Sequence, residues 1–401
     1  TTEIYTLSLH DALPISTFAS RTQGMGTSIF SEISMLARKH DAVNLGQGFP
    51  DYDTPDFMKQ SAIEAIVQGK NQYAIGSGER ILRHAIARHS EHWYGLSFDP
   101  DDEITVTSGA TEALFCSLLA IINPGDEVIV FQPYYDSYCP AIRMAGGIPI
   151  AVTLHAPYFS FNPMELAQAF SPKTKAIIIN TPHNPTGTVF SLQELQFIAE
   201  LCNEYHTIAI CDEVYEHCVY DGITHVPMQK LASMTDKTVR ISSMGKTFTA
   251  TGWKIGWAIG SAEFQKALRS IHQFVVFASA TPFQYAAAAG LSADDTLYRE
   301  FALDLQKKRD YLFSVLEQYG LQPQKPAGSY FILCDISGVT TLPSTMFAKK
   351  LITELGVAAI PPETFYHTPE IGNRLLRFCF CKQDDTLHKA AERLSQLSTI
   401  L

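Results

Sequence analysis

The sequence predicts an α/β protein with a large, mostly parallel sheet and a smaller α+β domain. Short apolar runs alternate with helical stretches from residue 104 onward, which is typical of strands buried between helices. Beyond about residue 300 the pattern changes to an α+β type. At 401 residues the chain is also long enough for a large domain plus a smaller one.

The predicted elements follow the chain in order. In the larger part, we predict strands at residues 104–107, 127–131, 175–180, 207–212, 239–241 and 257–259. Helices are predicted at residues 111–122, 191–205 and 296–319, and Ser191 and Glu194 have the spacing of a capping box. The smaller part is predicted to contain strands at 330–336, 357–360 and 375–380 and helices at 344–355 and 384–397.

The first sixteen residues look foreign to the rest of the chain. They have no basic segment, and His10, Asp11 and Pro14 interrupt any apolar core, so a signal peptide is not expected. We therefore divide the chain into a non-native or disordered leader (1–16), an N-terminal arm with part of the small domain (17–60), a large domain (61–300) and a small C-terminal domain (301–401).

Composition excludes several classes of protein. Hydrophobic residues make up 46% and charged residues 18%, as in an ordinary globular enzyme. A net charge of −11 without a basic run argues against nucleic-acid binding, and the apolar runs are too short to cross a membrane. The eight cysteines are scattered without a C-x-x-C pair. This pattern favours a reducing, cytoplasmic setting over disulfides or a metal site.

Lys246 lies in a stretch of small and hydroxyl residues that follows a predicted strand. A lysine that forms an imine with an aldehyde needs a partly desolvated, cation-rich site that lowers its pKa. Ser243 and Lys254 are suited to binding a phosphate group nearby. An isolated Ser-x-Gly-Lys is more often a surface turn, so this interpretation depends on the other motifs.

Ala110 and Thr111 open a helix directly after the strand at 104–107. The N-terminus of a helix offers free N–H donors and the positive end of the helix dipole, which suits a phosphate. An ordinary strand-to-helix turn is the alternative.

Three further segments place polar or aromatic residues after predicted strands. Tyr135 follows one strand and could stack on a planar ring or pack in the core. Asn184 lies in a turn with two X-Pro bonds and Gly187, which restrict the backbone. Asp212 ends an apolar strand, where it could pair with a cationic ring nitrogen or cap a helix.

Arg377 stands alone in an apolar strand. Because an unpaired buried guanidinium is costly, we expect it to hold an anion, and its planar fork suits a carboxylate. A structural salt bridge is the alternative.

These motifs, in this order, resemble the class I/II aminotransferases, which are pyridoxal-phosphate (PLP) enzymes of fold type I. The resemblance runs from about residue 29 to 397 and is strongest to the branch with bacterial methionine aminotransferases and kynurenine/glutamine aminotransferases. It implies the PLP-dependent transferase fold with a seven-stranded, mostly parallel sheet. It also implies a homodimer.

The resemblance assigns roles residue by residue. Lys246, Asp212 and Tyr215 would be catalytic: Lys246 binds PLP and transfers protons, Asp212 pairs with the ring nitrogen, and Tyr215 donates to the phenolate oxygen. The implied PLP-binding set is Ala110, Thr111, Tyr135, Asn184, Asp212, Tyr215, Ser243, Lys246, Lys254 and, reaching the neighbouring subunit's site, Tyr73. The implied substrate-binding residues are Gly48, Asn184 and Arg377, and no metal is implied.

The expected substrates are an amino acid and a 2-oxo acid, exchanged by a ping-pong mechanism. Animal kynurenine/glutamine enzymes carry Phe-His where this chain has Phe277-Ala278, and residues 273–284 lack the cation expected for a dicarboxylate. The resemblance implies an apolar, aromatic pocket formed by Phe30, Tyr134, Phe277 and Tyr330. Methionine is therefore the leading donor, before aromatic amino acids and glutamine.

Two alternatives remain at this level. A kynurenine–oxoglutarate transaminase or a cysteine-S-conjugate β-lyase would use the same fold and the same Lys246. A transcription regulator with an aminotransferase-like domain would need a DNA-binding helical domain and a basic patch, and no basic run is present.

Overall fold

The computed structural model describes Ala19 and residues 28–401. Its strands form three sheets of eight, three and two strands. The predicted leader at residues 1–16 lies outside the described residues. None of the described helices is long and apolar enough to cross a membrane.

The strands have the following bounds: β1 Val43–Asn44, β2 Ile104–Thr107, β3 Glu127–Gln132, β4 Ile148–His155, β5 Ser160–Phe161, β6 Thr174–Asn180, β7 Ile208–Asp212, β8 Thr238–Ser243, β9 Gly256–Ile259, β10 Gln322–Pro323, β11 Phe331–Asp335, β12 Val357–Ala358 and β13 Leu375–Cys379. The predicted strands at 104–107, 127–131, 175–180, 207–212, 239–241, 257–259, 330–336 and 375–380 all coincide with one of these to within two residues at either end. The predicted strand at 357–360 is shorter, since β12 ends at Ala358.

The large sheet has the order β2-β9-β8-β7-β6-β3-β4-β5. The pairs β8–β7, β7–β6, β6–β3 and β3–β4 are parallel, which confirms the prediction of a mostly parallel sheet. β9 runs antiparallel to both of its neighbours. The sheet has one strand more than the seven predicted, because the chain turns back after β4 and adds the two-residue strand β5 antiparallel to it.

The α-helices are α1 Ile29–Lys39, α2 Asp56–Val67, α3 Arg80–Tyr94, α4 Ala110–Ile121, α5 Tyr138–Met144, α6 Pro163–Ala169, α7 Leu192–Glu204, α8 Met244–Thr247, α9 Ala262–Val275, α10 Thr281–Leu291, α11 Asp295–Gln318, α12 Ser344–Lys350 and α13 Asp384–Leu394. The five predicted helices correspond to α4, α7, α11, α12 and α13. The last two end earlier than predicted: α12 gives way to a π-helical turn, and α13 stops three residues before Leu397.

The capping box predicted for α7 is present. The Ser191 hydroxyl accepts from the Glu194 amide at 3.3 Å, and the Glu194 carboxylate accepts from the Ser191 amide at 2.8 Å. These two bonds satisfy N–H groups that have no partner inside the helix.

Several helices lie outside the predicted elements, and α3 shows why. It buries Arg83, His89 and Ser90 among its apolar residues. Polar residues on the buried face interrupt the hydrophobic periodicity from which a helix is recognised in a sequence.

One hydrophobic core joins the start of the described chain to its end. Ile33 of α1 and Leu45 pack in the same cluster as Phe347 of α12 and Phe378 of β13. β1 pairs in parallel with β12, and β10, β11 and β13 form an antiparallel sheet. The division into domains at residues 60/61 and 300/301 stays a prediction.

The large sheet brings several polar chain segments to one edge. β3, β6, β7 and β8 are parallel neighbours or next neighbours, so their carboxyl ends meet there. In open α/β sheets ligands bind at this edge.

Candidate active site

A cavity of about 460 Å³ opens at the carboxyl ends of these strands. It brings together every predicted site residue except Tyr73: Gly48, Ala110, Thr111, Tyr135, Asn184, Asp212, Tyr215, Ser243, Lys246, Lys254 and Arg377. These residues come from chain segments more than 300 positions apart, so the cavity is a product of the fold.

Lys246 lies in α8, directly after β8. Its Nζ is 5.7 Å from the centroid of the Tyr215 ring and 5.8 Å from that of Tyr330. Burial lowers the pKa of Lys246, and the positive charge of Arg377 acts in the same direction, while the Asp212 carboxylate opposes it. The site therefore favours the neutral, nucleophilic amine, as the sequence predicts.

Asp212 ends β7 and faces the cavity. Its Oδ2 accepts from the Tyr138 hydroxyl at 2.7 Å, and its Oδ1 accepts from the Val214 amide at 3.4 Å. Burial raises the pKa of Asp212, whereas these two hydrogen bonds and the charge of Lys246 favour its ionised form. A cationic N–H facing this carboxylate would stabilise the ionised form further.

Asn180 fixes the turn that carries Asn184. Its Nδ2 donates to the Asp212 carbonyl at 2.8 Å, and its Oδ1 accepts from the Asn184 amide at 2.7 Å. Asn180 and Asp212 are direct partners in the register of β6 and β7. The sequence analysis assigned no role to Asn180, although its place as the last residue of an apolar strand was a usable signal.

Arg377 is buried, with 1% exposure, yet it has only neutral partners among the described residues. Its Nη1 donates to Asn184 Oδ1 at 2.9 Å and its Nη2 donates to the Gly46 carbonyl at 2.8 Å. Its Nε is buried without a partner in the described chain. No described carboxylate lies within salt-bridge distance, so the salt-bridge alternative is not supported and the guanidinium is suited to an anionic ligand.

Gly48 lies in the segment that covers this side of the cavity. The Tyr330 hydroxyl donates to the Gly48 carbonyl at 2.7 Å. A Cβ at Gly48 would come within 2.7 Å of the Phe331 ring, so the close approach of backbone to ring requires glycine.

The opposite end of the cavity is formed by the N-terminus of α4. Gly109 precedes the helix with φ 82°, and a Cβ there would lie 3.1 Å from Nζ of Lys254. Free N–H groups of Ala110 and Thr111 and the Lys254 ammonium thus converge beside Ser243, which also lines the cavity. This donor set fits the phosphate of PLP, just as Asp212 and Lys246 fit its ring nitrogen and aldehyde.

Two of the predicted site residues are tyrosines that line the cavity, Tyr135 and Tyr215. The Tyr215 ring lies edge-on to Tyr330 with centroids 5.0 Å apart. Burial raises the pKa of Tyr215 well above its ordinary value and that of Tyr135 to about 12. Both side chains therefore stay protonated at neutral pH.

Four residues were predicted for the side-chain pocket, and only Phe30 lines the cavity. Tyr330 packs against Tyr215 and does not itself line the cavity. Tyr134 belongs to a hydrophobic core cluster of the large sheet. Tyr134 and its neighbour Tyr135 have different surroundings although they are adjacent in the chain. Phe277 is about half-exposed and lies outside the cavity.

Tyr73 also lies outside the cavity of this single chain. Its side chain is 85% exposed, and its ring packs edge-on against Phe277 with centroids 5.2 Å apart. Its role at a neighbouring subunit stays a prediction.

Phe49, Tyr138 and Phe331 line the cavity although the sequence analysis gave them no role. The Phe331 ring centroid lies 4.0 Å from Cζ of Arg377, a cation–π contact. Phe49 directly follows Gly48 and Tyr138 comes three residues after Tyr135, so both lay close to recognised motifs.

Comparisons with known proteins agree on one family. The family model "Aminotransferase class I and II" matches residues 40–394. A probable N-succinyldiaminopimelate aminotransferase from Mycobacterium tuberculosis is 41% identical over 389 residues, covering 94% of this chain and 98% of the relative. A methionine aminotransferase from Escherichia coli is 40% identical over 378 residues, with the same two coverages. Kynurenine–oxoglutarate transaminase 1 from Homo sapiens is 38% identical over 410 residues, covering 94% and 97%.

The structural comparison gives the same result. A crystal structure of an Escherichia coli protein with a methionine aminotransferase function superposes with a TM-score of 0.92 at 40% identity, covering 94% of this chain and 99% of that one.

Proposed function

The chain belongs to the class I and II aminotransferases, which are PLP-dependent, and on that premise we propose that its preferred amino donor is methionine. Family membership makes it a transaminase that moves the amino group of an amino acid to a 2-oxo acid. Aromatic amino acids and glutamine are the next candidates as donors.

The observation that carries this proposal is the composition of the cavity lining. Phe30, Phe49 and Phe331 line the cavity, and the rings of Phe30 and Phe331 lie 5.1 Å and 4.0 Å from Cζ of Arg377. Among the described lining residues the only lysines and arginines are Lys246, Lys254 and Arg377. Each of these has a role at the aldehyde, the phosphate or the reacting carboxylate, so an apolar substrate side chain fits the remaining wall.

The names of the relatives point to different donors, and the lining discriminates among them. N-succinyldiaminopimelate carries carboxylates beyond the reacting one, for which the described lining offers no further cation. Methionine and the aromatic kynurenine both suit an aromatic wall. The kynurenine-specific alternative is weaker, because Phe277-Ala278 lacks the histidine of the animal enzymes.

The proposed chemistry follows from the positions of the side chains. PLP, when bound, supplies an aldehyde that combines with amines and a ring that withdraws electrons from the substrate's α-carbon. Arg377 binds the substrate carboxylate with its free N–H groups, assisted by Asn184. The Lys246 amine, whose pKa is lowered by burial, would take the proton from the substrate α-carbon and deliver it to C4′ of the cofactor.

Asp212 and Tyr215 support this proton transfer. Asp212 would pair with the ring nitrogen and keep it protonated, and the Tyr138 hydroxyl, which donates to its Oδ2 at 2.7 Å, favours the carboxylate form needed for this. The Tyr215 hydroxyl would donate a hydrogen bond to the phenolate oxygen of the cofactor. Because one arginine binds the carboxylate of both the amino acid and the oxo acid, the donor product leaves before the acceptor binds, as a ping-pong mechanism requires.

The expected assembly is a homodimer with Tyr73 reaching the phosphate of the partner's site. Tyr73 and Phe274 are 85% and 86% exposed, and Phe277 is about half-exposed. Exposed apolar side chains so close together are typical of a protein interface. Sedimentation at the mass of two chains, and weaker PLP binding by Tyr73→Phe, would support this arrangement, whereas a monomer with full PLP affinity would exclude it. The eight cysteines are all free, which supports a cytoplasmic location.

The donor is tested by recording the visible absorption of the PLP-loaded protein while single amino acids are added without any oxo acid. Methionine should convert the PLP band to that of the aminated cofactor at the lowest concentration. Kynurenine, phenylalanine, glutamine, aspartate and N-succinyldiaminopimelate serve as competitors. Lys246→Ala is the control, since it should bind methionine without converting it.

Other outcomes would change the assignment. Conversion by kynurenine or N-succinyldiaminopimelate in preference to methionine would contradict the proposed donor and leave the family chemistry intact. Release of pyruvate from a cysteine S-conjugate without an oxo acid would show β-lyase activity. Conversion of methionine by Lys246→Ala at the normal rate would overturn the role given to Lys246.

A further inference from the structure

The segment at residues 46–51 covers one side of the cavity with Gln47, Gly48 and Phe49. In the described chain, its carbonyls accept no hydrogen bond from a backbone amide. They accept from side chains instead: Arg377 donates to Gly46, Tyr330 to Gly48, and Lys382 to both Gln47 and Phe49. Side chains from the C-terminal quarter of the chain therefore hold the carbonyls of this segment, while the Gln47 side chain donates to the Phe30 carbonyl and the Ser34 hydroxyl of α1.

Lys382 makes the most contacts of this kind. Its Nζ donates to the Phe49 carbonyl at 2.7 Å and to the Gln47 carbonyl at 3.2 Å. The same Nζ lies 5.0 Å from the centroid of the Phe49 ring. Lys382 thus holds the backbone on both sides of Gly48 and the aromatic side chain that lines the cavity.

The burial of Lys382 makes these contacts necessary. The residue is only 3% exposed, and no described carboxylate lies within salt-bridge distance of it. A buried ammonium without a counter-ion is costly unless its protons are bound. The two carbonyls meet that need, so the ammonium and the covering segment hold one another in a single arrangement.

Asp51, the last residue of the segment, also binds the C-terminal part of the chain. The Asp51 carboxylate accepts from the Gln383 amide and from the Thr386 hydroxyl, both at 2.6 Å. These partners lie at the start of α13, directly after Lys382. The stretch from Arg377 to Thr386 therefore binds the covering segment at Gly46, Gln47, Phe49 and Asp51.

We propose that Lys382 is a positioning residue for the amino-acid substrate, which holds the segment at 46–51 and the Phe49 ring over the cavity. The proposal rests on the function given above. Arg377 also donates to this segment, but a substrate carboxylate would compete for the same guanidinium. Lys382 is not in the cavity lining and has no such competition, so it keeps the segment in place while Arg377 binds substrate.

The test compares Lys382→Met with the matched control Lys389→Met. Lys389 is an exposed lysine of α13 that makes no hydrogen bond or ion pair to the described residues 46–51. Lys382→Met should raise KM for methionine and for a monocarboxylic oxo acid such as phenylpyruvate by about tenfold, with kcat changed by less than about threefold. Its PLP absorption should be normal. Backbone amides at 46–51 should exchange hydrogen faster than in the wild type, and Lys389→Met should change none of these quantities. Lys382→Arg, which keeps a cationic hydrogen-bond donor, should have a KM between that of Lys382→Met and that of the wild type.

Unchanged KM and unchanged exchange at 46–51 in a folded Lys382→Met protein would overturn the proposal, as would a fall in kcat alone. Should Lys382→Met fail to fold, Asp51→Asn decides, because Asp51 is exposed and its loss should raise KM and exchange in the same direction. The hydrogen-exchange measurement does not depend on which amino acid is the preferred amino donor. A wild-type protein that ignores methionine would therefore contradict the proposed donor without affecting the test of Lys382.

Discussion

Arg377 is surrounded by aromatic rings rather than by carboxylates. Its Cζ lies 4.0 Å from the Phe331 ring centroid, 5.1 Å from that of Phe30 and 5.7 Å from that of Phe365. Burial lowers the pKa of Arg377, although an arginine stays charged in any protein. A planar guanidinium can stack on these rings while its edge binds a carboxylate, which a lysine cannot do.

This geometry predicts the effect of Arg377→Lys. The charge is kept, but the fork that binds two carboxylate oxygens and the stacking are lost, so kcat/KM for methionine should fall by about 100-fold, mainly through KM. Steady-state kinetics and methionine titration of the PLP band would measure it. Arg374→Lys is the control, since Arg374 bonds the carbonyls of Thr340 and Leu342 away from the cavity. A normal KM in Arg377→Lys would contradict the role given to the fork.

The candidate site residues differ in how well the sequence alone predicts their positions. Lys246 and Asp212 each follow an apolar strand, so local pattern alone places them at the edge of the sheet. The neutral partners of Arg377 come from residues 331 and 193 positions away, and no local pattern contains them.

At the scale of elements, the predicted phosphate site depends on the contact between the start of β9 and the start of α4. Gly256 pairs with Thr107 in the register of β2 and β9. A Cβ at Gly256 would come within 2.5 Å of the Ala110 amide nitrogen and of the Gly109 carbonyl carbon. Only glycine allows the strand to pass this close to the helix N-terminus.

Gly256→Ala should therefore displace the first turn of α4. We expect PLP to bind at least about tenfold more weakly, a loss of about 1.4 kcal/mol, because the N–H groups move relative to Lys254. PLP titration followed by absorption would measure this. Gly252→Ala is the matched control, since a Cβ there meets no atom within 4 Å. Equal PLP affinity in the two variants would show that the close approach does not shape the site.

The elements that sequence pattern predicted well are those with continuous apolar runs. β6 is an example: Ile177 and Ile179 pack in one core cluster and Ile178 in another, so both faces of the strand are covered. The short strands β1, β5 and β10 have two residues each and are defined by their partners. Their existence depends on tertiary pairing, which a local pattern does not contain.

At the scale of the whole molecule, a buried polar cluster joins α3 to the sheet behind the active site. Nε2 of His89 lies 2.8 Å from Nε2 of His217. The Glu216 carboxylate accepts from the hydroxyls of Tyr94 and Ser242, each at 2.5 Å. Because Ser242 precedes Ser243, for which phosphate binding is predicted, this cluster supports the end of β8 next to the cavity.

Burial of its histidines predicts a pH dependence of folding. Burial lowers the pKa of His89 to about 4, and lowers that of His217 and of His183 to about 3. The unfolded chain, with histidine pKa values near 6.5, binds more protons than the folded chain below that pH. Stability is therefore full above about pH 6.5 and falls as the pH drops toward the folded pKa values.

Between pH 7.5 and 5.5 the free energy of unfolding should fall by about 1 kcal/mol for each of these histidines, less where His89 and His217 are coupled. Urea unfolding at the two pH values, with saturating PLP, measures the change. His183→Asn should reduce the difference in unfolding free energy between the two pH values, while a substitution of the exposed His388 should not. If His183→Asn left this difference in unfolding free energy unchanged, His183 would not be a neutral buried histidine in the folded protein.

The sequence by itself determined the α/β class and the order of the main strands and helices, because apolar runs and turn residues are local patterns. Its motifs, through their resemblance to the aminotransferases, assigned the residues that meet in the cavity, and parallel strands bring the carboxyl ends that carry several of them together. The tertiary structure decided what no local pattern holds. In the tertiary structure Asn180 pairs with Asp212, and Arg377 is surrounded by aromatic rings and neutral oxygens. Tyr134 is buried, Phe277 lies outside the cavity, and Lys382 binds carbonyls of the covering segment. These are contacts between distant parts of the chain, and they depend on how the layers pack.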